Sequence, residues 1–290
     1  MKITGKQLFF ILLLVFTIIV FVWVEVSRPV PVVWKPTFSR YDKQPYGAYL
    51  VYERLGDVFP NQTLQTLRKT LYEARPNLLP NISLKKYNKK QKTSQPPEKQ
   101  APTLLFVQQR LKWSHTDKQV LERLLEKGST LFIATTALED SLAKQWQVVF
   151  KTTEKFADST LIHWTNDPQR IYTIRNYGNS RYIDLLPNAQ AEILAVNAQN
   201  QPVLVKIAQD NGTVLLCSQP LVFTNYNLLR DNNAELIEKI LQQTPLKPVF
   251  WDEYHKVGKE TSGSPLRFIL SDDYLATAFW MALTGIFLYM

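Results

Sequence analysis

Uncharged apolar residues gather at the two ends of the chain and recur in short bursts between them. Leu8 to Val24 is a run of seventeen residues without a charge, interrupted only by the weakly polar Thr17. As a helix at 1.5 Å per residue it reaches about 25 Å, near the lower limit for a hydrocarbon core of ~30 Å. Trp23 and Val26 extend it, so a transmembrane helix is expected over 8–26, after a tail of residues 1–7. A secretory signal peptide is the competing reading, given Lys2 and Lys6. The run exceeds the ~7–15 residues of an ordinary signal core, however, and no A-x-A-like cleavage site follows it. Tyr274 to Met290 is a second uncharged run of seventeen, apolar all round. It reads as a second transmembrane helix over 274–290, with a buried C-terminal helix as the alternative. A helix ending at Met290 would leave its last carbonyl groups in or near lipid, so a truncated span is expected. The basic residues of the short N-terminal tail place that tail in the cytoplasm and residues 27–270 outside. A reporter fusion near residue 150 that was active only in the cytoplasm would overturn this orientation.

Between the runs the pattern is that of an α/β domain over 39–270, reached through a proline-stiffened stalk over 27–38. A short helix is predicted after Pro45, with Tyr49, Leu50, Tyr52 and Leu55 on its apolar face and Gly56 as its C-terminal cap. A second is predicted over Leu64–Tyr72. Thr103–Val107 and Thr130–Ala134 are continuous apolar runs, as expected of strands buried on both faces. Between them Ser114 and Asp117 read as a capping box, Val120, Leu121, Leu124 and Leu125 form one helical stripe, and Gly128 ends it. Strand, helix and strand make a right-handed βαβ unit with parallel strands. A further helix is predicted over Thr135–Trp146, then a strand beginning at Val148. Ile193–Val196, Val203–Ile207 and Thr213–Cys217 are strand candidates at ten-residue spacing, the last two joined by the turn signal Asp210-Asn211-Gly212. An antiparallel meander is expected there, then a helix striped by Leu236, Ile237, Ile240 and Leu241, and a last strand at Pro248–Trp251.

Charge changes the picture only once it is located. The net charge is +9, but six lysines less Glu98 place +5 of it in residues 85–102, a polar, low-complexity loop expected to be exposed. The remainder carries an ordinary +4, and Tyr87 is the only aromatic residue of the loop, so a nucleic-acid partner is not expected. A single cysteine, Cys217, excludes an intramolecular disulfide framework and a multi-cysteine zinc module. Three histidines leave little material for a histidine-rich metal site.

Several segments then carry a resemblance. In order they are the first apolar run, Lys43-Gln44-Pro45-Tyr46-Gly47, the βαβ unit, Phe223-Thr224-Asn225, Asp231-Asn232-Asn233-Ala234, and Asp252-Glu253-Tyr254-His255 before the second run. From residue 8 to residue 290 the chain resembles the domain-of-unknown-function family numbered 4350, seen in bacterial membrane-anchored proteins. The resemblance implies a class I glutamine amidotransferase-like fold, a flavodoxin-like three-layer sandwich. With the elements above, that sandwich would carry an antiparallel edge extension and be flanked by transmembrane helices. It also implies an inner-membrane protein of the bacterial envelope with its main domain extracytoplasmic. The implied partners are the lipid bilayer and other inner-membrane proteins, including a MoxR-type ATPase system.

An amidotransferase needs a cysteine nucleophile on a glycine-flanked strand-to-helix turn. Cys217 sits in Leu215-Leu216-Cys217-Ser218-Gln219-Pro220 without a neighbouring glycine, so it is expected to pack as a small hydrophobe and no catalytic residue is assigned. The most functional-looking cluster is Asp252, Glu253 and His255. Glu253 and His255 would share one face of an extended strand, but two ligands fall short of a metal site, and no metal or other cofactor is expected. Asn225 and Asn233, and Asn227 with them, would lie at the same end of the sheet, where open α/β sheets bind ligands. The plainer reading of all these residues is turn and capping chemistry. Two functions from different classes follow. One is a non-enzymatic envelope module that binds a protein or ligand. The other is an envelope hydrolase or metal-dependent enzyme using the Asp252–His255 strand end.

Overall fold

The computed structural model describes residues 5–27, 32–78, 101–176, 178–256, 269–270 and 273–289. The lysine-rich loop predicted over 85–102 lies outside them except for its last two residues. In chain order the elements are α1 (Gly5–Ser27), α2 (Tyr49–Val58), β1 (Leu64–Leu67), α3 (Leu71–Leu78), β2 (Thr103–Val107), α4 (His115–Glu126), β3 (Thr130–Ala134) and α5 (Asp140–Gln145). There follow β4 (Val148–Phe156), β5 (Ser159–Trp164), β6 (Asp167–Arg175), β7 (Asn179–Leu185), β8 (Ala191–Asn197), β9 (Pro202–Gln209) and β10 (Gly212–Cys217). The last are a 3₁₀ turn (Pro220–Phe223), α6 (Asn225–Leu228), α7 (Asn233–Leu241), β11 (Val249–Asp252) and α8 (Asp273–Tyr289). The chain divides into two compact units, one of residues 1–33 with 258–290 and the other of residues 34–257.

The larger unit is built on a nine-stranded sheet in the order β1-β11-β2-β3-β10-β9-β8-β5-β6. Its first five strands are parallel and the other four continue it antiparallel, while β4 and β7 form a separate antiparallel pair. β2 and β3 are buried at every position because side chains that alternate across a strand are covered on both sides here. Leu105, Val107, Phe132, Ala134, Leu215 and Cys217 pack with α2 and α7. Leu104, Phe106, Leu131, Ile133, Val214 and Leu216 pack with α3, α4, α5 and the β4–β7 pair. The β2–α4–β3 unit follows its sequence signals. Ser114 Oγ accepts a hydrogen bond from Asp117 N at 3.1 Å, the Val120–Leu125 stripe is buried, and Gly128 leaves the helix at φ +83°. At the β9–β10 turn, a Cβ on Gly212 would stand 2.5 Å from the Ser129 carbonyl oxygen, so only glycine fits.

Several expectations are corrected. The fold is not the flavodoxin-like, amidotransferase-like three-layer sandwich flanked by transmembrane helices. It is a mixed α/β architecture with a nine-stranded sheet, of which four strands are antiparallel, and a second small sheet. Most of the antiparallel material, β4 to β7, comes from residues 148–185, where alternating polar and apolar positions conceal strands that bury only one face. The segment read as a helix at Leu64–Tyr72 divides into β1 and the start of α3, because pairing to β11 outweighs three leucines at helical spacing. Gly56 lies inside α2, and Phe59 caps it.

Both apolar end runs fold as helices, α1 and α8. Among the described residues, however, no helix is long and apolar enough to cross a membrane. The 17 residues of α8 make about 26 Å, against a ~30 Å core. The flanking transmembrane helices are therefore not supported. Within their own unit, Ile18, Phe21 and Val22 of α1 and Phe279 and Leu283 of α8 line one apolar concavity.

Candidate functional site

The residues singled out in the sequence fall in three places, and most of their polar atoms are used internally. β11 runs between β1 and β2, so its C-terminal end emerges beside Leu67 and Val107. There Asp252 is buried, and its Oδ1 lies 2.9 Å from Nδ1 of His255, which is itself held beneath Phe106 and Trp113. Asp252 Oδ2 is buried with no hydrogen-bond donor among the described residues. The His255 carbonyl accepts from Gln108 Nε2 at 2.7 Å, which ties the strand end to β2.

Glu253 departs from the pair expected for it. Its Oε1 accepts from the Arg40 backbone N–H at 2.5 Å and from Ser39 Oγ at 3.2 Å, while the His255 ring turns to Asp252. The backbone leaves β11 as a turn after Asp252, so strand alternation no longer governs positions 253–255. Burial raises the Glu253 carboxyl above the ordinary carboxylate value, opposed by the Arg40 N–H and the Lys256 charge. Lys256, which the sequence reading passed over, sends its ammonium inward onto the Val107 carbonyl and over the Trp251 ring at 5.0 Å. Burial pushes it down to about 8, against the pull of Asp252 and Glu253. Among the described residues no three His, Cys, Asp or Glu side chains gather as a metal-binding group. Cys217 is buried at the end of β10, and desolvation pushes its thiol up to about 12, far from a reactive thiolate.

Asn225 and Asn233 are not at that strand end. Asn225 sits at the start of α6, where its Oδ1 accepts from Leu50 N at 2.9 Å. Its Nδ2 donates to the carbonyls of Asp42 at 3.0 Å and Gln44 at 2.8 Å. Asn233 donates to Thr173 O at 2.9 Å and Asn227 O at 3.1 Å. Asn227, likewise buried, accepts from Arg175 N at 2.8 Å and donates to Arg175 O at 3.2 Å, as a residue of a neighbouring strand would. These two asparagines close the free edge of β6.

The space these braces create is a groove elsewhere. Asn225 N bonds to Gly47 O and Tyr226 N to Pro45 O, both at 2.8 Å, so the 43–50 segment is laid along α6. A Cβ on Gly47 would lie 2.0 Å from the Asp42 carbonyl oxygen, which is why the close approach needs glycine. The result is an open groove of about 600 Å³ with Pro45, Tyr49, Leu50, Tyr226 and Leu229 as its apolar walls and Lys43 and Arg230 as its cations. The Lys43 ammonium lies 4.8 Å from the Tyr49 ring centroid and the Arg230 guanidinium 4.2 Å from that of Tyr226. Tyr46, Tyr226 and Trp34 form an edge-to-face cluster beside it, with centroids 5.4–5.7 Å apart. The sequence signal for this place was the Lys-x-Pro-Tyr-Gly segment. Tyr226 and Arg230 carried none, since nothing local joins them to residues 180 positions earlier.

Comparison with known proteins bears on family and little else. The family model described as domain of unknown function (DUF4350) matches residues 86–241, more than half of the 290 residues. No curated protein matches the chain. Among solved structures, an exo-β-1,4-mannosidase from Opitutaceae bacterium strain TAV5 is 10% identical over 49% of this chain and 24% of its own, with a TM-score of 0.35. The mmIFT52 N-terminal domain is 10% identical over 49% of this chain and 75% of its own, at 0.38. A β-galactosidase from Bacillus circulans sp. alkalophilus is 16% identical over 51% and 23%, at 0.32. The chain thus spans about a quarter of the length of either glycosidase.

Proposed function

The chain belongs to the DUF4350 family, a domain of unknown function, and on that premise we propose that it is a binding module whose ligand surface is the groove between Lys43 and Arg230. One observation carries the reading. The buried polar residues at the β11 end and around α6 mostly bond to their own chain, whereas Lys43 and Arg230 have no carboxylate partner among the described residues and stand exposed over tyrosine rings. Asn225 braces the groove-forming segment and Glu253 the residues 39–40 that lead into it, while Asp252 and His255 bond to each other at the end of β11. Tyrosine, tryptophan and arginine in a desolvated setting are the residues that dominate binding energy at interfaces. A protein partner, such as the MoxR-type ATPase that the family resemblance suggests, would be read at this surface.

The test is a photoreactive residue introduced at position 43 of the full chain in its native host. A discrete crosslinked partner is expected, lost when Lys43→Glu and Arg230→Glu are combined. The same residue at position 144, on α5 and the other face of the sheet, should not capture it. A partner captured from 144 and unaffected by the double charge reversal would overturn the proposal. So would a His255→Ala variant that keeps its fold but loses cellular function while the charge-reversed protein behaves as wild type.

A further inference from the structure

Resting on the groove reading, we infer that the groove receives an acidic peptide segment of a partner protein, in which a bulky apolar side chain is flanked by carboxylates. Lys43 and Arg230 are the only charged residues lining the groove, and no carboxylate lines it among the described residues. Asp42, which precedes Lys43, is turned away, accepting from Thr37 Oγ1 at 2.6 Å and from Gln44 N at 2.9 Å, and Asp231, which follows Arg230, does not line the groove. A carboxylate reaching either cation would gain a charge-assisted hydrogen bond over a tyrosine face that already holds the cation in place.

The extent of the apolar surface argues for a polypeptide. A small ligand is held in a concave site that buries most of it. Here the groove is open, and its rim continues into Leu229, 72% exposed, and Trp34, 55% exposed. An anion filling the space between Lys43 and Arg230 would leave both rim residues in water. A chain segment crossing the groove covers them and seats an apolar side chain against Pro45 and Leu50. Contiguous exposed apolar surface rimmed by charge is the usual mark of such an interface.

Trp34 supplies the readout, since its ring stands edge-on to Tyr226 at 5.4 Å. Random peptides displayed on phage are selected against the purified full chain, and the enriched consensus is synthesised and titrated while tryptophan emission is followed. Enrichment of Asp and Glu around an aromatic or aliphatic residue is expected. Lys43→Glu with Arg230→Glu should weaken the consensus peptide by about tenfold or more, and Tyr226→Ala by a similar factor. Raising the salt from about 0.1 to about 1 M, which shortens the screening length from ~10 to ~3 Å, should weaken it further. Lys144→Glu should change nothing.

Enrichment of basic or uncharged sequences, or peptide binding indifferent to the charge reversal, would overturn the inference. Inorganic phosphate and phosphatidylglycerol vesicles are titrated in parallel. If either binds in a manner abolished by the charge reversal while no peptide does, the peptide partner is wrong and the groove as a binding surface stands. If the crosslinking from position 43 fails as well, both fall.

Discussion

Lys256 shows how one residue can cost stability and still hold a site together. Its ammonium is drawn inside by the Val107 carbonyl, Asp252 and Glu253, yet burial leaves it at about 8. The unfolded chain keeps that proton up to the ordinary lysine value near ~10.4. Between about 8 and 10.4 the unfolded state therefore binds more protons than the folded one, and stability rises with pH across that window. Urea titrations at intervals through it should show this rise in the wild type and a flatter profile in Lys256→Met. Equal slopes would mean that the ammonium is solvated. Nothing in the sequence around position 256 announces this, because the oxygen that accepts from it lies on β2, some 150 residues away. Glu253 and Asn225 are alike in this respect. Their residue types marked them as chemically capable, and only their partners show that the capability is used as bracing.

Among the elements, β2 and β3 were legible as continuous apolar runs and α4 because its apolar stripe and its Ser114 cap agree, while α2 was legible as a helix but not in its cap. β1 and the β4–β7 region were not. A four-residue strand such as β1 is defined by its pairing with β11, and β6 carries five consecutive positions that are not buried. The free edge of β6 is closed by side chains instead of by another strand, and this gives the α6–α7 asparagines their purpose. Removing the Asn227 carboxamide strips its Arg175 and Leu221 partners in a fully buried setting. Asn227→Ala should therefore lower stability by about 2–3 kcal/mol. The neighbouring exposed Leu229→Ala should stay within about 0.5 kcal/mol. Denaturant midpoints at constant m-value compare the two, and equal effects would show that the edge needs no cap.

At the scale of the molecule, both hydrophobic clusters lie wholly within residues 34–257. A fragment of 34–257 should accordingly unfold in one cooperative transition, with its midpoint within about 3 °C of the full chain. Near-UV circular dichroism and calorimetry would check this, and a broad transition without fixed aromatic signals would refute it. What the sequence by itself determined is what local physics sets. Apolar runs flanked by caps and glycines fold as the strands and helices of an α/β core, and an unflanked cysteine in an apolar strand is packing material. Tertiary structure alone decided which chemistry is left over for function. Hydrogen bonding and charge pairing are satisfied by whichever groups meet in space. Only the assembled chain reveals that Asp252, Glu253, His255 and the asparagines bond to their own neighbours. Lys43, Tyr226 and Arg230, far apart in the chain, are the groups left facing outward together.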